Sequence, residues 1–355
     1  MQLPLTQLSS HLAKDLKPIY VLHGDEPLLQ QEAADAIRAS ARQRGFAERT
    51  VFTVVGVHFD WSAVLAAAGS LSLFADRQCI ELRIPSGKPG KEGSQSLQAL
   101  AEQAAGQDGL LVLVLLPRLD KATLSSAWFT ALEGCGGQIR IDPIERSALP
   151  AWIGQRLGLQ GQRVQAGEVG QQTLQFFADR VEGNLLAAHQ EIQKLGLLYP
   201  AGELTQAQIE ASVLNVARYD VFKLGEAVLS GQPARVQRML DGLQAEGESE
   251  VLVHFALAED IRALRQVKEA LGQGQPLPVA LRESRVWGLR ERLFERVLPR
   301  VSQVDLDNLL LSAHKVDGLV KGLRQPDWPQ NPWQALHRLA MQLCQVCQNP
   351  PARHR

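Results

Sequence analysis

Three stretches of the sequence carry residue types that could do chemistry. The first is His23-Gly24-Asp25-Glu26-Pro27-Leu28-Leu29-Gln30-Gln31, which follows an apolar run at 18–23 and opens a helix-forming one. A phosphate-binding turn belongs at such a place. Its backbone N–H groups would hold phosphates, a lysine would reach the β/γ-phosphates, and a Ser/Thr hydroxyl would bind magnesium. Here one glycine remains, Pro27 removes a donor, and Leu28, Leu29 and Gln30 stand where Gly-Lys-Ser/Thr would fall. Asp25 and Glu26 would repel a triphosphate and suit the first turn of a helix instead. The strand expected at 78–84 offers Glu81 without an acidic neighbour for magnesium, on the face opposite Ile80 and Leu82. The prediction is a nucleotide-type domain that holds no nucleotide and has no catalytic residue, cofactor or metal. Cys344-Gln345-Val346-Cys347 is a CxxC, but zinc needs two more ligands and His337 alone is near, so packing within a helix over 336–346 is expected. His23, His189, His254 and His314 are scattered, and no serine or cysteine has the partners of a triad.

The second stretch surrounds Trp287 with Arg282, Arg285, Arg290, Arg292, Arg296 and Arg300, offset by Glu283, Glu291 and Glu295. Arginines with an aromatic suit DNA through phosphate contacts and stacking, with Arg285, Trp287 and Arg290 as the candidates. The alternative is a solvated helix laced with i,i+4 ion pairs over a core tryptophan. Lys315 and Lys321 are weaker candidates, and Trp328, Pro329, Pro332 and Trp333 are expected to anchor a loop. The third stretch is Gly69-Ser70-Leu71-Ser72-Leu73-Phe74-Ala75-Asp76-Arg77. A helix over 61–68, N-capped by Asp60, runs up to Gly69, which suits a left-handed helix end. A strand follows from Gln78. Leu73 and Phe74 therefore fall in a connection, either as a plug for another protein's pocket or folded back onto their own core.

The elements that must position these groups follow from periodicity. Strand patterns at 18–24, 50–55, 80–84, 110–116 and 137–141 alternate with helical ones at 28–44, 61–68, 94–105 and 121–133, with an exposed loop at 85–93. Such alternation predicts a parallel sheet with helices on both faces, and the all-apolar run at 110–116 reads as its central strand. Beyond a linker at 143–149, helices at 151–157, 169–181 and 185–198 predict a small bundle. Longer helices at 222–229, 234–243, 250–271, 289–298 and 305–323 predict a helical region without strands. The fold class expected is an α/β N-terminal domain followed by two all-α domains, divided at 1–142, 143–211 and 212–343 with a tail at 344–355.

Composition limits the function. The 355 residues exceed one ordinary domain, 45% of them are hydrophobic, and the formal net charge is −1, so nucleic acid or membrane binding would need a local patch. No apolar run approaches the roughly 20 residues of a membrane span, and the first residues lack a signal peptide's basic start and apolar block. Four cysteines form no disulfide framework, and a reduced, cytoplasmic location is expected.

Several strings, taken in order, resemble the delta subunit family of the bacterial DNA polymerase III clamp loader. They are Tyr20-Val21-Leu22-His23-Gly24-Asp25-Glu26-Pro27-Leu28-Leu29, Ser72-Leu73-Phe74-Ala75-Asp76-Arg77, Trp128-Phe129-Thr130-Ala131-Leu132 and Glu182-Gly183-Asn184-Leu185-Leu186. The resemblance spans nearly the whole chain and rests on order and spacing more than on any one string. It implies a degenerate AAA+-like first domain, a three-helix lid and a helical collar that joins a hetero-pentamer with gamma/tau and delta prime subunits. It implies a subunit without intrinsic ATPase, grouped with DNA-directed DNA polymerase only as part of the holoenzyme. Its partner would be the sliding clamp, the beta subunit, bound by a Leu-Phe wedge matched here by Leu73 and Phe74 with Leu71 and Ser72 beside them, and opened for loading onto primed DNA. The family's wider clamp-binding pattern begins with a glutamine where this sequence has Gly69. An ATP-binding motor or helicase-loader-like subunit of the same fold is the alternative function.

Overall fold

The computed structural model describes residues 1–56, 58–69, 77–213 and 217–350. Leu71, Ser72, Leu73 and Phe74 therefore lie outside the described residues. In chain order the first part contains α1 (Leu8–Lys14), β1 (Ile19–Gly24), α2 (Pro27–Gln43), β2 (Glu48–Thr53), α3 (Trp61–Gly69) and β3 (Gln78–Arg83). It continues with α4 (Gly90–Gly106), β4 (Leu110–Leu116), α5 (Lys121–Leu124), α6 (Ala127–Cys135), β5 (Gly137–Ile141) and α7 (Leu149–Leu159). The five strands form one sheet in the order β2-β3-β4-β1-β5, parallel throughout.

The α/β fold class is as predicted, and its physical basis is plain. In β4 every residue but Leu115 is buried, because helices cover both faces of the sheet. On one face Val21, Ile80, Leu82, Val112 and Val114 share a core with Trp61, Val64, Leu97, Leu100, Trp128 and Phe129 of α3, α4 and α6. On the other face α2 lies over β1 and β4. Asp60 caps α3 as expected, its Oδ1 accepting the Ser62 N–H at 3.0 Å. Two boundaries differ from the sequence reading. The loop expected at 85–93 already turns helical at Gly90, and Gly93 is buried where an added Cβ would come within 2.4 Å of Trp61. Of the glycines that suggest a loop, Gly93 is there to admit an indole, while Gly87 and Gly90 hold left-handed backbone at φ +67° and +76°. The helix expected at 121–133 is broken into α5 and α6, because Ser126 turns its own hydroxyl onto the Thr123 carbonyl at 2.6 Å and restarts the chain from an extended conformation.

Next come β6 (Gln162–Val164), α8 (Glu168–Val181), α9 (Leu185–Leu198), β7 (Gly202–Leu204) and α10 (Gln206–Ser212). The two short strands and α10 are not legible as separate elements in the sequence. The rest is helical: α11 (Val221–Leu229), α12 (Pro233–Ala245), α13 (Glu250–Gly272), α14 (Leu277–Glu283), α15 (Leu289–Val297), α16 (Gln303–Val320) and α17 (Pro332–Gln348). By compactness the chain divides into residues 1–163 with 185–202 and residues 164–184 with 203–355. Within the first unit α9 packs on α7 and α2, and Arg156 of α7 grips Glu32 of α2 through two hydrogen bonds of 2.6 Å. Within the second, Leu224, Val253, Leu257, Ile261, Leu309, Val316, Leu336 and Leu339 form one core around α13. Arg235 of α12 pairs there with the buried Glu182 at the end of α8.

Candidate functional site

The carboxyl ends of β1, β3 and β4 open on a cleft of about 520 Å3, the position at which open parallel sheets bind ligands. Gly24, Asp25, Pro27, Gln30, Gln31, Arg83, Ile84 and Leu116 line it. Gly24 has φ +155°, and a Cβ there would stand 1.7 Å from the Ile141 carbonyl oxygen, so the close approach of β1 to β5 demands glycine. The chain then enters α2 through its own cap. Glu26 accepts the Leu28 N–H at 3.3 Å, and its backbone carbonyl takes the Gln30 N–H at 3.0 Å. Pro27 has no N–H to offer. The helix end that would hold a phosphate is thus met by a carboxylate of the same chain. Burial pushes the Glu26 carboxyl above its ordinary range, opposed by the Leu28 N–H.

The remaining polar groups of the cleft are also engaged. Asp25 accepts the Arg118 N–H at 3.3 Å, and Gln30 Nε2 donates to the Leu116 carbonyl at 2.8 Å. Arg83, the cation among the described lining residues, is held by Glu81 through Nε at 2.8 Å and Nη2 at 2.7 Å. Glu81 is fully buried and also receives Arg38 Nη2 at 2.9 Å. Its face is the one that alternation predicts, but sequence reasoning missed its arginine partners. An acid between Ile80 and Leu82 in a strand expected to be buried was the signal that partners must exist, and Arg83 two residues on was the local candidate.

Elsewhere the predicted residues separate. Trp287 is 57% exposed, which overturns the core-tryptophan alternative: Gly288, at φ +64°, turns the chain before α15, and the indole is left outside. Arg285 holds a left-handed backbone at φ +55°. Arg290 points inward to the buried Asp260 and lies over Phe294 at 5.6 Å. Arg296 and Arg300 donate to the carbonyls of Leu229 and Asn349. Trp328 and Trp333 are buried in the helical core, as expected of loop anchors. Cys344 and Cys347 are buried in α17, and desolvation pushes the Cys347 thiol up to about 12. Among the described residues no three His, Cys, Asp or Glu side chains come together as a metal site, and no helix is long and apolar enough to cross a membrane.

The fold and cleft define a class: an α/β protein of nucleotide-binding architecture whose phosphate turn is closed by its own glutamate and proline, continued by helical segments. Residues 20–140 match the family model described as DNA polymerase III, delta subunit. The chain is 31% identical over 338 residues to DNA polymerase III subunit delta of Escherichia coli K12, covering 95% of each. It is 26% identical over 349 residues to that of Haemophilus influenzae, covering 95% of this chain and 98% of the relative. Among solved structures it is similar in fold to the Bacillus subtilis DNA clamp loader delta protein, with a TM-score of 0.50, 17% identity, and 96% and 99% of the two chains covered. The chain belongs to the DNA polymerase III delta subunit family, and its role is that of the clamp loader's delta subunit in DNA replication.

Proposed function

We propose that this subunit works by binding rather than by hydrolysis: it grips the sliding clamp through Leu73 and Phe74, with Leu71 and Ser72 at their side, and holds the ring open. The observation that carries this reading is the closed phosphate turn, with Glu26 on the Leu28 N–H and proline at position 27. An element without nucleotide chemistry must contribute through contacts. The sequence supplies them as an aliphatic–aromatic pair between α3 and β3.

The magnitudes are consistent. Burying a Leu and a Phe is worth roughly 1.5–3 kcal/mol each, while association costs are of comparable or larger size. The pair is therefore a hot spot that needs a surrounding rim. Opening the ring further requires tighter binding to the open clamp than to the closed one, since a ligand shifts an equilibrium only by its differential affinity. Gamma/tau and delta prime subunits are the proposed neighbours, in a cytoplasmic hetero-pentamer whose delta chain divides at 1–142, 143–211 and 212–343. Arg285, Trp287 and Arg290 are the proposed contacts to primed DNA, with Arg290 shared with Asp260. The test is a pull-down with purified sliding clamp. Leu73→Ala combined with Phe74→Ala should abolish capture while the circular dichroism spectrum stays unchanged. Undiminished capture refutes the assignment.

A further inference from the structure

The two margins of the five-stranded sheet are treated differently. At β5 the chain covers itself: Leu3 N–H donates to the Gln138 carbonyl at 2.8 Å, and Gln138 N–H donates to the Met1 carbonyl at 2.9 Å. At β2 no described element pairs with the outer side. Val54 N–H donates to the Arg83 carbonyl at 2.8 Å, so by the period of two Thr50 and Phe52 also bond towards β3. Arg49, Val51 and Thr53 then turn their N–H and C=O groups outward, and all three residues are exposed. An open edge is a template for another strand, and folded proteins usually block it.

Beside this edge, between β2 and α2, lies a cavity of about 370 Å3 lined by Arg38, Ala41, Arg42, Phe46, Arg49 and Val51 among others. Its charge is unbalanced. Arg38 is satisfied by Glu81 and by Asp35 at 2.6 Å. Arg49, half-exposed, stands 3.7 Å from the same Glu81, whose oxygens are already taken by Arg38 and Arg83. Arg42 has no ion-pair partner among the described residues. The groove therefore offers cationic groups above an apolar floor, next to an unpaired backbone ladder. Nucleic acid fits this less well: the aromatic of the groove, Phe46, is buried with Arg77 over its ring at 5.7 Å and offers no stacking face.

We propose that the β2 edge and this arginine groove form a strand-addition site for an extended acidic segment of a partner protein. The segment's backbone pairs with Arg49, Val51 and Thr53, and its alternate carboxylates lie on Arg42 and Arg49. None of the features that point to this site depends on the proposed role of Leu73 and Phe74.

The experiment uses the full chain and four fluorescein-labelled probes read by anisotropy. They are a nonapeptide alternating Glu with Val, the same peptide with Lys for Glu, the acidic peptide N-methylated at every second residue, and a nine-nucleotide single-stranded DNA. The acidic peptide should bind with salt-sensitive affinity, the lysine and N-methylated peptides at least tenfold more weakly. Arg42→Gln and Arg49→Gln, both at exposed positions, should each weaken the acidic peptide about tenfold while the far-ultraviolet circular dichroism spectrum stays that of the folded chain. Absence of acidic-peptide binding, indifference to N-methylation, or insensitivity to both arginine variants overturns the proposal. DNA binding that is tighter than the peptide's and lost in the same variants overturns it in favour of a nucleic-acid surface.

Discussion

Glu81 is where a single residue has most to lose. It is fully buried, and its two oxygens are shared by Arg38 and Arg83, with Arg49 further off. Arg38 is itself buried to within 9% of side-chain exposure, so removing the carboxylate strands a guanidinium inside the sheet–helix interface. Breaking a buried pair in this way costs about 3–5 kcal/mol, whereas losing an exposed pair costs about 0–1 kcal/mol. Asp35 retains Arg38 from its exposed side, which places the expected loss for Glu81→Ala near the lower end of that range. Urea unfolding of the variant followed by far-ultraviolet circular dichroism measures it. A loss below about 1 kcal/mol would mean that the arginines are hydrated and the buried pair is not a structural tie. The alternation of β3 placed Glu81 on its proper face from sequence. Arg83, two residues on and on the same face, is a partner the strand pattern itself offers. The sequence could not give Arg38, which lies on another element and which nothing in the local pattern links to Glu81.

At the scale of elements, α13 and α16 meet through a titratable contact. His254 of α13 is buried, and its Nε2 donates to the Ala313 carbonyl at 2.9 Å, which fixes the neutral tautomer with Nδ1 bare and 3.8 Å from Asp317. Burial holds this imidazole below its ordinary value of 6.5, against the pull of the Ala313 carbonyl and Asp317, with Arg262 and Lys321 adding to the depression. The unfolded chain takes up a proton below 6.5 that the folded chain refuses. Stability from this group is therefore complete above pH 6.5 and is lost as pH falls from there towards the folded value, at no more than about 1.4 kcal/mol per pH unit. Urea midpoints at pH 7.5, 6.5 and 5.5 should fall less steeply in His254→Gln, which keeps a donor for Ala313, than in the parent chain. Equal slopes would show that His254 is protonated in place. The two helices themselves are legible in the sequence, from apolar residues at helical spacing. Elements defined by a specific neighbour are not. α4 begins early because Gly93 makes room for Trp61, and α5 stops because Ser126 bonds back to Thr123. Trp287 stands between two readings in the sequence, exposed stacking residue or core anchor, for the same reason, since composition cannot say which side of a turn an indole takes.

At the scale of the whole molecule, the remaining choice is between a subunit that responds to nucleotide and one that does not. A chain that bound ATP would be stabilised by it through mass action. At a ligand concentration one hundred times the dissociation constant the gain is about 2.7 kcal/mol, enough to move a melting temperature by several degrees. The cleft at the carboxyl ends of β1, β3 and β4 has the volume for part of a nucleotide, yet it lacks the interactions. Glu26 holds the helix amide that a phosphate would need, Arg83 is committed to Glu81, and Asp25 adds negative charge where a triphosphate would lie. At about 4 Å, each like-charge contact costs on the order of 1–4 kcal/mol between water and a surface-like dielectric. Two such contacts would amount to about 2–8 kcal/mol, set against the roughly 8 kcal/mol that micromolar binding represents. Titration with a fluorescent ATP analogue should accordingly show no saturation, and magnesium ATP at 100-fold above a micromolar constant should leave the melting temperature unchanged. Saturable micromolar binding with a matching thermal shift would restore the motor-like alternative, and it would do so whatever the outcome of the clamp pull-down.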